Sequence, residues 1–231
     1  MDPDGLTQAA AYMPLFPLIG AVIGFVAGIC VWLLELILPQ LVAATIGVGV
    51  LFLINGVQHL DGLLDFGDGL MFHGSKAGKL RVMRYPTTGA GGLALGLVVL
   101  LTAVFSISAI PQHVVISTLV AAESSGAFAM VLGAAVGKAA HKGMSTVFIE
   151  AMHRKASLRV GLAYIIVVAI SFFALQYAGI VTVVGSTVTA LAIVLVARRN
   201  FGGVTGDVFG AMNEIARVIS LLSVLVIMKW V

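Results

Sequence analysis

Three carboxylates stand at i, i+4 and i+7 in the run His59-Leu60-Asp61-Gly62-Leu63-Leu64-Asp65-Phe66-Gly67-Asp68. On a helix that spacing puts Asp61, Asp65 and Asp68 on one face. Acids so crowded repel one another unless a cation lies between them. Oxygen donors suit a hard divalent ion, Mg²⁺ first and Mn²⁺ as the alternative. Asp61, Asp65 and Asp68 are therefore candidate metal ligands and candidate catalytic carboxylates. His59 lies about 200° round the helix from Asp61 and does not share that face. It is a candidate proton acceptor or an orienting group, and a purely structural histidine is equally compatible. Gly62, Gly67 and Gly69 each weaken a helix by up to about 1 kcal/mol relative to alanine, which implies close approach by another backbone or a ligand.

A second constellation, Arg198-Arg199-Asn200-Phe201-Gly202-Gly203-Val204-Thr205-Gly206-Asp207, precedes the last apolar run. Glycines allow backbone N–H groups to turn toward an anion, and a following helix start adds partial positive charge. Arg198 and Arg199 supply forked donors for phosphate. Gly202, Gly203, Thr205 and Gly206, with Arg84 from an earlier loop, complete the candidate phosphate set. Asp207 is a fourth candidate metal ligand, and Glu214 follows it at i+7. Glu123 lies inside an apolar run, where a carboxylate is protonated, paired with an interior cation or functional.

The elements that must position these residues are membrane helices. The chain of 231 residues is 60% hydrophobic and 10% charged, with a mean hydropathy of +1.12. Soluble domains carry about 25% charged residues. Seven apolar runs of spanning length occur near 15–38, 41–60, 88–110, 113–136, 160–178, 180–197 and 208–228. The expected fold is an all-α polytopic bundle of about seven transmembrane helices, a single integral membrane domain over 1–231. Alternation of the kind a β-barrel needs is absent. If the second run continues past residue 60, one helix of about 45 Å carries the acids out to the interface.

The basic residues sort by loop. Counting Arg217 with the junction before the last run, twelve of the thirteen Lys and Arg residues fall on one side. The positive-inside rule makes that side cytoplasmic, with the N-terminus and the acids facing the cytoplasm of an inner membrane. The pI of 9.2 reflects this topology rather than nucleic-acid binding. The first residues lack a positive n-region, so the first apolar run is expected to remain as a span. Cys30 is alone, which excludes an intrachain disulfide. Residues 75–85, starting at Ser75 as N-cap, and residues 141–157 read as cytoplasmic interfacial helices.

Together the motifs give the chain a family likeness. Phe16-Pro17-Leu18-Ile19-Gly20, the acidic run from His59 to Gly69, and Gly202-Gly203-Val204-Thr205-Gly206-Asp207-Val208-Phe209-Gly210-Ala211 resemble the cobalamin (5′-phosphate) synthases, or adenosylcobinamide-GDP ribazoletransferases. Two positions depart. Tyr85-Pro86-Thr87 replaces an Asp-Ser-Arg-like stretch, and Ser125 stands where an arginine is usual. Both departures remove charges and leave room for a divergent substrate. The resemblance implies a Mg²⁺-dependent membrane phosphotransferase with a corrinoid nucleotide and α-ribazole, or its 5′-phosphate, as substrates and GMP as product. It leaves homo-oligomerisation open.

On that reading Asp61, Asp65, Asp68 and Asp207 hold the metal, one aspartate or His59 takes the hydroxyl proton, and the arginines and glycine loop hold phosphate. Two alternatives remain. A CDP-alcohol phosphotransferase also uses an acidic membrane helix, but Asp65-Phe66 occupies its Ala-Arg positions. A cation transporter would use Asp61 and Glu123.

Overall fold

The computed structural model describes residues 3–230. The chain forms α1 (Pro3–Ala11), a short 3₁₀ turn (Met13–Leu15), α2 (Phe16–Leu34), α3 (Gln40–Asn55), α4 (Gln58–Met71) and α5 (Lys76–Val82). There follow α6 (Ala90–Ser108), α7 (Gln112–Val136), α8 (Met144–His153), α9 (Ala156–Leu175), α10 (Tyr177–Phe201) and α11 (Gly206–Trp230). Six of these, α2, α6, α7, α9, α10 and α11, are long and apolar enough to cross a bilayer. α3 alone, at 16 residues, reaches about 24 Å, and the count becomes seven when α3 and α4 are taken together as one bent span.

The helix bundle is organised around α7, which is buried without interruption from Ala121 to Ala134. A helix apolar on all sides belongs at the centre of such a bundle. α2 packs antiparallel on it through Gly20, Gly24 and Gly28, whose missing side chains leave space for α7 backbone. A Cβ on Gly20 would come within 2.5 Å of the Glu123 carbonyl. This is the small-residue packing that lets membrane helices approach closely. The outer faces carry exposed Leu53, Val98, Ile165 and Phe173. Lipid covers such a belt without cost.

The acidic run does not continue α3. The chain breaks at Gly56, with φ of +64°, and α4 leaves at 98° to α3. Glycine takes that conformation without the Cβ penalty other residues meet. The expectation of one long helix is thus corrected: α3 and α4 form a sharply bent pair, and α4 packs between the first turns of α6 and α11.

The loop cations all lie at the end where α4 sits, and the opposite connections around Pro39, Pro111 and Gln176 carry none. Arg217 was assigned to that end and is not there. It lies well inside α11, 1% exposed. Both interfacial helices are shorter than expected. Ser75 does cap α5, its Oγ accepting from the Gly78 N–H at 3.2 Å. α5 is also pinned to the bundle, because Lys79 Nζ donates to Leu70 O at 3.2 Å and to Asn200 Oδ1 at 2.9 Å. α8 ends before Lys155, whose φ of +60° breaks the expected 141–157 helix. α1, unforeseen from the sequence, packs on α8.

Candidate active site

α4 is held between α11 and α6 by glycines. A Cβ on Gly62 would lie 2.8 Å from the Asp207 carbonyl, and one on Gly210 would lie 2.9 Å from the His59 carbonyl. The two helices therefore meet backbone to backbone, and this contact sets Asp61 and Asp65 beside Asp207. On the other side, a Cβ on Gly67 would come 2.9 Å from Gly91 O, and one on Gly92 would come 2.5 Å from Leu64 O.

The three aspartates of α4 have different surroundings. Asp68 is buried. Its Oδ2 accepts from the Gly89 N–H at 2.6 Å and its Oδ1 from the Gly92 N–H at 2.7 Å. These are unpaired donors of the α6 start, so Asp68 caps a neighbouring helix. Asp61 is exposed and Asp65 half-buried, and no ion pair reaches either among the described residues. Burial pushes the Asp65 carboxyl up to about 7, followed by repulsion from Asp207, Asp61 and Asp68.

Asp207 opens α11. Thr205 Oγ1 donates to Asp207 Oδ2 at 3.1 Å and accepts from the Val208 N–H at 3.3 Å, so Thr205 caps the helix it precedes. Gly202 closes α10 with φ of +84°. Val204 bridges to the segment after α7, its N–H donating to Lys138 O at 2.7 Å while its carbonyl accepts from the Ala140 N–H at 3.1 Å. Gly203 lies against that segment, where any side chain would strike the Lys138 carbonyl. Gly203 and Thr205 thus have structural reasons of their own. Gly206 has open space around it and faces a cavity.

That open-mouthed cavity, of about 720 Å³, is lined by α1, α8, the 3₁₀ turn, Met130 of α7 and the starts of α2, α4 and α11, with His59, Asp61 and Asp207 on its wall. Arg84 and His141 lie within electrostatic reach of Asp207. Arg198 and Arg199 stand on the exposed last turn of α10, outside the cavity wall. The structure therefore brings Asp61, Asp65, Asp207 and His59 together and leaves the arginine pair to one side.

His59 is held from beneath. Its Nδ1 lies 3.0 Å from the Asn213 Nδ2. Burial pushes the imidazole down to about 4, and the Arg217 charge adds to this, so the ring is neutral. Arg217 Nη1 donates to Glu123 Oε1 at 3.1 Å, and its Nη2 donates to Glu214 Oε2. Glu123 is thereby paired with an interior cation, and Glu214 belongs to this triad rather than to the acids at the surface. Ser125 bonds Thr182 at 3.2 Å and faces α10. The sequence reading missed Asn213, His141 and the internal role of Arg217. Its signal was the Glu214-x-x-Arg217 spacing inside an apolar run.

Oxygen donors of this kind suit a hard divalent ion, but among the described residues no three His, Cys, Asp or Glu side chains stand close enough together to hold one.

The family model "CobS: Cobalamin-5-phosphate synthase" matches residues 2–226. The protein named adenosylcobinamide-GDP ribazoletransferase from Methanocella arvoryzae is 35% identical over 222 residues, 90% of this chain and 82% of that protein. Its namesake from Methanococcoides burtonii is 31% identical over 232 residues, 96% of this chain and 84% of that protein. One from Pyrococcus abyssi is 32% identical over 172 residues, 74% and 72% of the two chains. No solved structure matches the chain significantly.

Proposed function

The chain belongs to the cobalamin-5-phosphate synthase family, and from that membership we propose that it is a membrane transferase joining adenosylcobinamide-GDP to α-ribazole or its 5′-phosphate. A ribazole hydroxyl attacks the pyrophosphate phosphorus nearer the corrinoid. The P–O bond to GMP breaks, GMP leaves with the bridging oxygen, and the hydroxyl proton passes to a base. The observation that carries this reading is the meeting of Asp65 with Asp207 and Asp61, from two segments far apart in sequence, beside a cavity.

Each residue then has a task. Asp61, Asp65 and Asp207 would hold Mg²⁺, or Mn²⁺, with Asp68 fixing α4 against α6 and lending its charge. Such an ion supplies neutralisation of the pyrophosphate and stabilisation of the leaving oxygen. Without the ion, burial and the neighbouring acids raise the Asp65 carboxyl, and a cation bound there would relieve that repulsion. His59, its Nδ1 turned to Asn213, shares a wall with Asp61 and Asp207, so an aspartate or His59 takes the hydroxyl proton. Arg84 approaches the acids and is the cation best placed for phosphate, with Arg198, Arg199 and the Gly202–Gly206 turn extending the electropositive face. The acid-bearing end faces the cytoplasm, as the loop cations favour.

The test is GMP release by protein in lipid nanodiscs supplied with Mg²⁺, adenosylcobinamide-GDP and α-ribazole. Asp65→Asn should lower turnover by about 10³-fold, a loss of about 4 kcal/mol in transition-state stabilisation. Turnover retained by this variant would refute the role given to Asp65.

A further inference from the structure

We propose that the 720 Å³ cavity is the subsite for the base of the ribazole acceptor, holding it so that its ribose hydroxyl reaches the open acids. This rests on the reaction proposed above and adds a division of the two substrates between two surfaces.

The wall decides the ligand class. It is built largely from Phe16, Phe148, Phe209, Met13, Met130 and Met144. Phe16 and Phe148 meet edge to face with centroids 6.1 Å apart, which leaves ring surfaces to pack on a planar guest. The methionines are unbranched and polarisable, and adapt to irregular aromatic shapes. The volume falls in the range of small-molecule sites, about 300–1,000 Å³. The corrinoid nucleotide, a macrocycle with a nucleotide appended, is too bulky to be enclosed there.

Three of the polar side chains on the wall are engaged: Ser145 Oγ donates to Val204 O at 3.3 Å, His59 Nδ1 lies 3.0 Å from Asn213 Nδ2, and Asp207 accepts from Thr205. Gln58 and Asp61 have no side-chain hydrogen-bond partner among the described residues. The benzimidazole of ribazole has no exocyclic polar atoms, and its flat apolar face suits the aromatic and methionine lining. Only one stretch of wall is acidic, at Asp61 and Asp207. A guest with an apolar base and a hydroxyl-bearing sugar therefore has one favourable orientation, base inward and hydroxyl toward the acids. The guanosine diphosphate portion of the donor finds its complement outside, where Arg84, Lys76, Arg198 and Arg199 stand exposed.

The experiment reads binding without turnover. Equilibrium dialysis of α-ribazole against nanodisc-held protein, with no corrinoid present, is run on the wild type, Phe148→Ala, Phe148→Leu and Met144→Trp. Phe148→Ala, by removing a ring, and Met144→Trp, by filling the cavity from its rim, should each raise the Kd about tenfold. Phe148→Leu should recover most of the loss, which separates cavity lining from misfolding. GDP should not displace α-ribazole, and the KM for adenosylcobinamide-GDP should move less than twofold in the same variants. The assignment is overturned if wild type fails to bind α-ribazole, if the variants leave its Kd within twofold, or if GDP competes and the variants weaken GDP instead. Ribazole binding with no GMP release would sink the reaction and keep the subsite, so the two failures are distinguishable.

Discussion

Glu123 and Glu214 meet Arg217 at a depth where all three are 1–2% exposed. Asp61 and Asp207 stand instead at the wall of a cavity, with Asp65 within electrostatic reach of both and no ion pair to any of the three among the described residues. The same side-chain chemistry serves two purposes. In the interior an unpaired charge costs several kcal/mol, so each carboxylate there is bonded to the guanidinium. At the mouth of the cavity water screens the acids, and their mutual repulsion is tolerated, which leaves them open to a substrate or an ion. His59 links the two clusters. It shares a wall with Asp61 and Asp207, while burial and then the Arg217 charge hold it neutral and Asn213 lies against its Nδ1.

The largest expected difference between the clusters is in stability. Arg217→Met leaves Glu123 and Glu214 facing one another without a cation, and should destabilise the bundle by about 3–5 kcal/mol. Thermal unfolding in nanodiscs checks this. Adding Glu123→Gln and Glu214→Gln to Arg217→Met should recover most of the loss, since amides need no countercharge. Asp65→Asn, by contrast, should leave the unfolding temperature unchanged or slightly raised while turnover collapses. If both single variants lost stability alike, the distinction between paired and open acids would fail.

The next effect concerns the contact that brings the open acids together. Gly62→Val puts branched carbon where the Asp207 backbone lies 2.8–2.9 Å from an ideal Cβ. α4 must then move off α11, at about 1–3 kcal/mol. Because Asp61 and Asp65 ride on α4, turnover should fall more steeply than stability. Gly49→Val, at a position with open space around an ideal Cβ, should do neither.

Much of this site was legible from residue types and spacing, and the misses have physical causes. The i, i+4, i+7 acids and the interspersed glycines correctly implied a helix approached closely by another backbone, and Gly62 with Gly210 is that approach. The break at Gly56 was hidden because hydrophobicity carries no information about bending. Asn55-Gly56, a turn-forming pair, was the one sign. Asp68 has the same type and spacing as its neighbours, yet caps α6, and only the position of Gly89 and Gly92 in space distinguishes a capping carboxylate from an open one. Arg217 was grouped with loop cations because a positive charge near a helix start usually is one. Its i−3 glutamate and the acid in α7 showed that it had interior partners.

The smallest effect is a dependence on pH that separates the open acids from the buried triad. Asp65 titrates near 7 in the folded protein against an ordinary 3.8. The folded state therefore keeps a proton that the unfolded chain has released between those values, so stability should fall as pH rises from about 4 to about 7 and level off above. A shift of that size corresponds to about 4 kcal/mol unscreened. Asp65 is only half-buried, and solvent screening leaves about 1 kcal/mol of it. Asp65→Asn should flatten this slope, because an amide has no proton to release. Adding Mg²⁺ at pH 8 should restore stability to the wild type and do nothing for Asp65→Asn, since a cation relieves the same repulsion that protonation relieves. A slope that persists in Asp65→Asn and ignores Mg²⁺ would place the titration elsewhere and remove the reason for treating these acids as an open cation site.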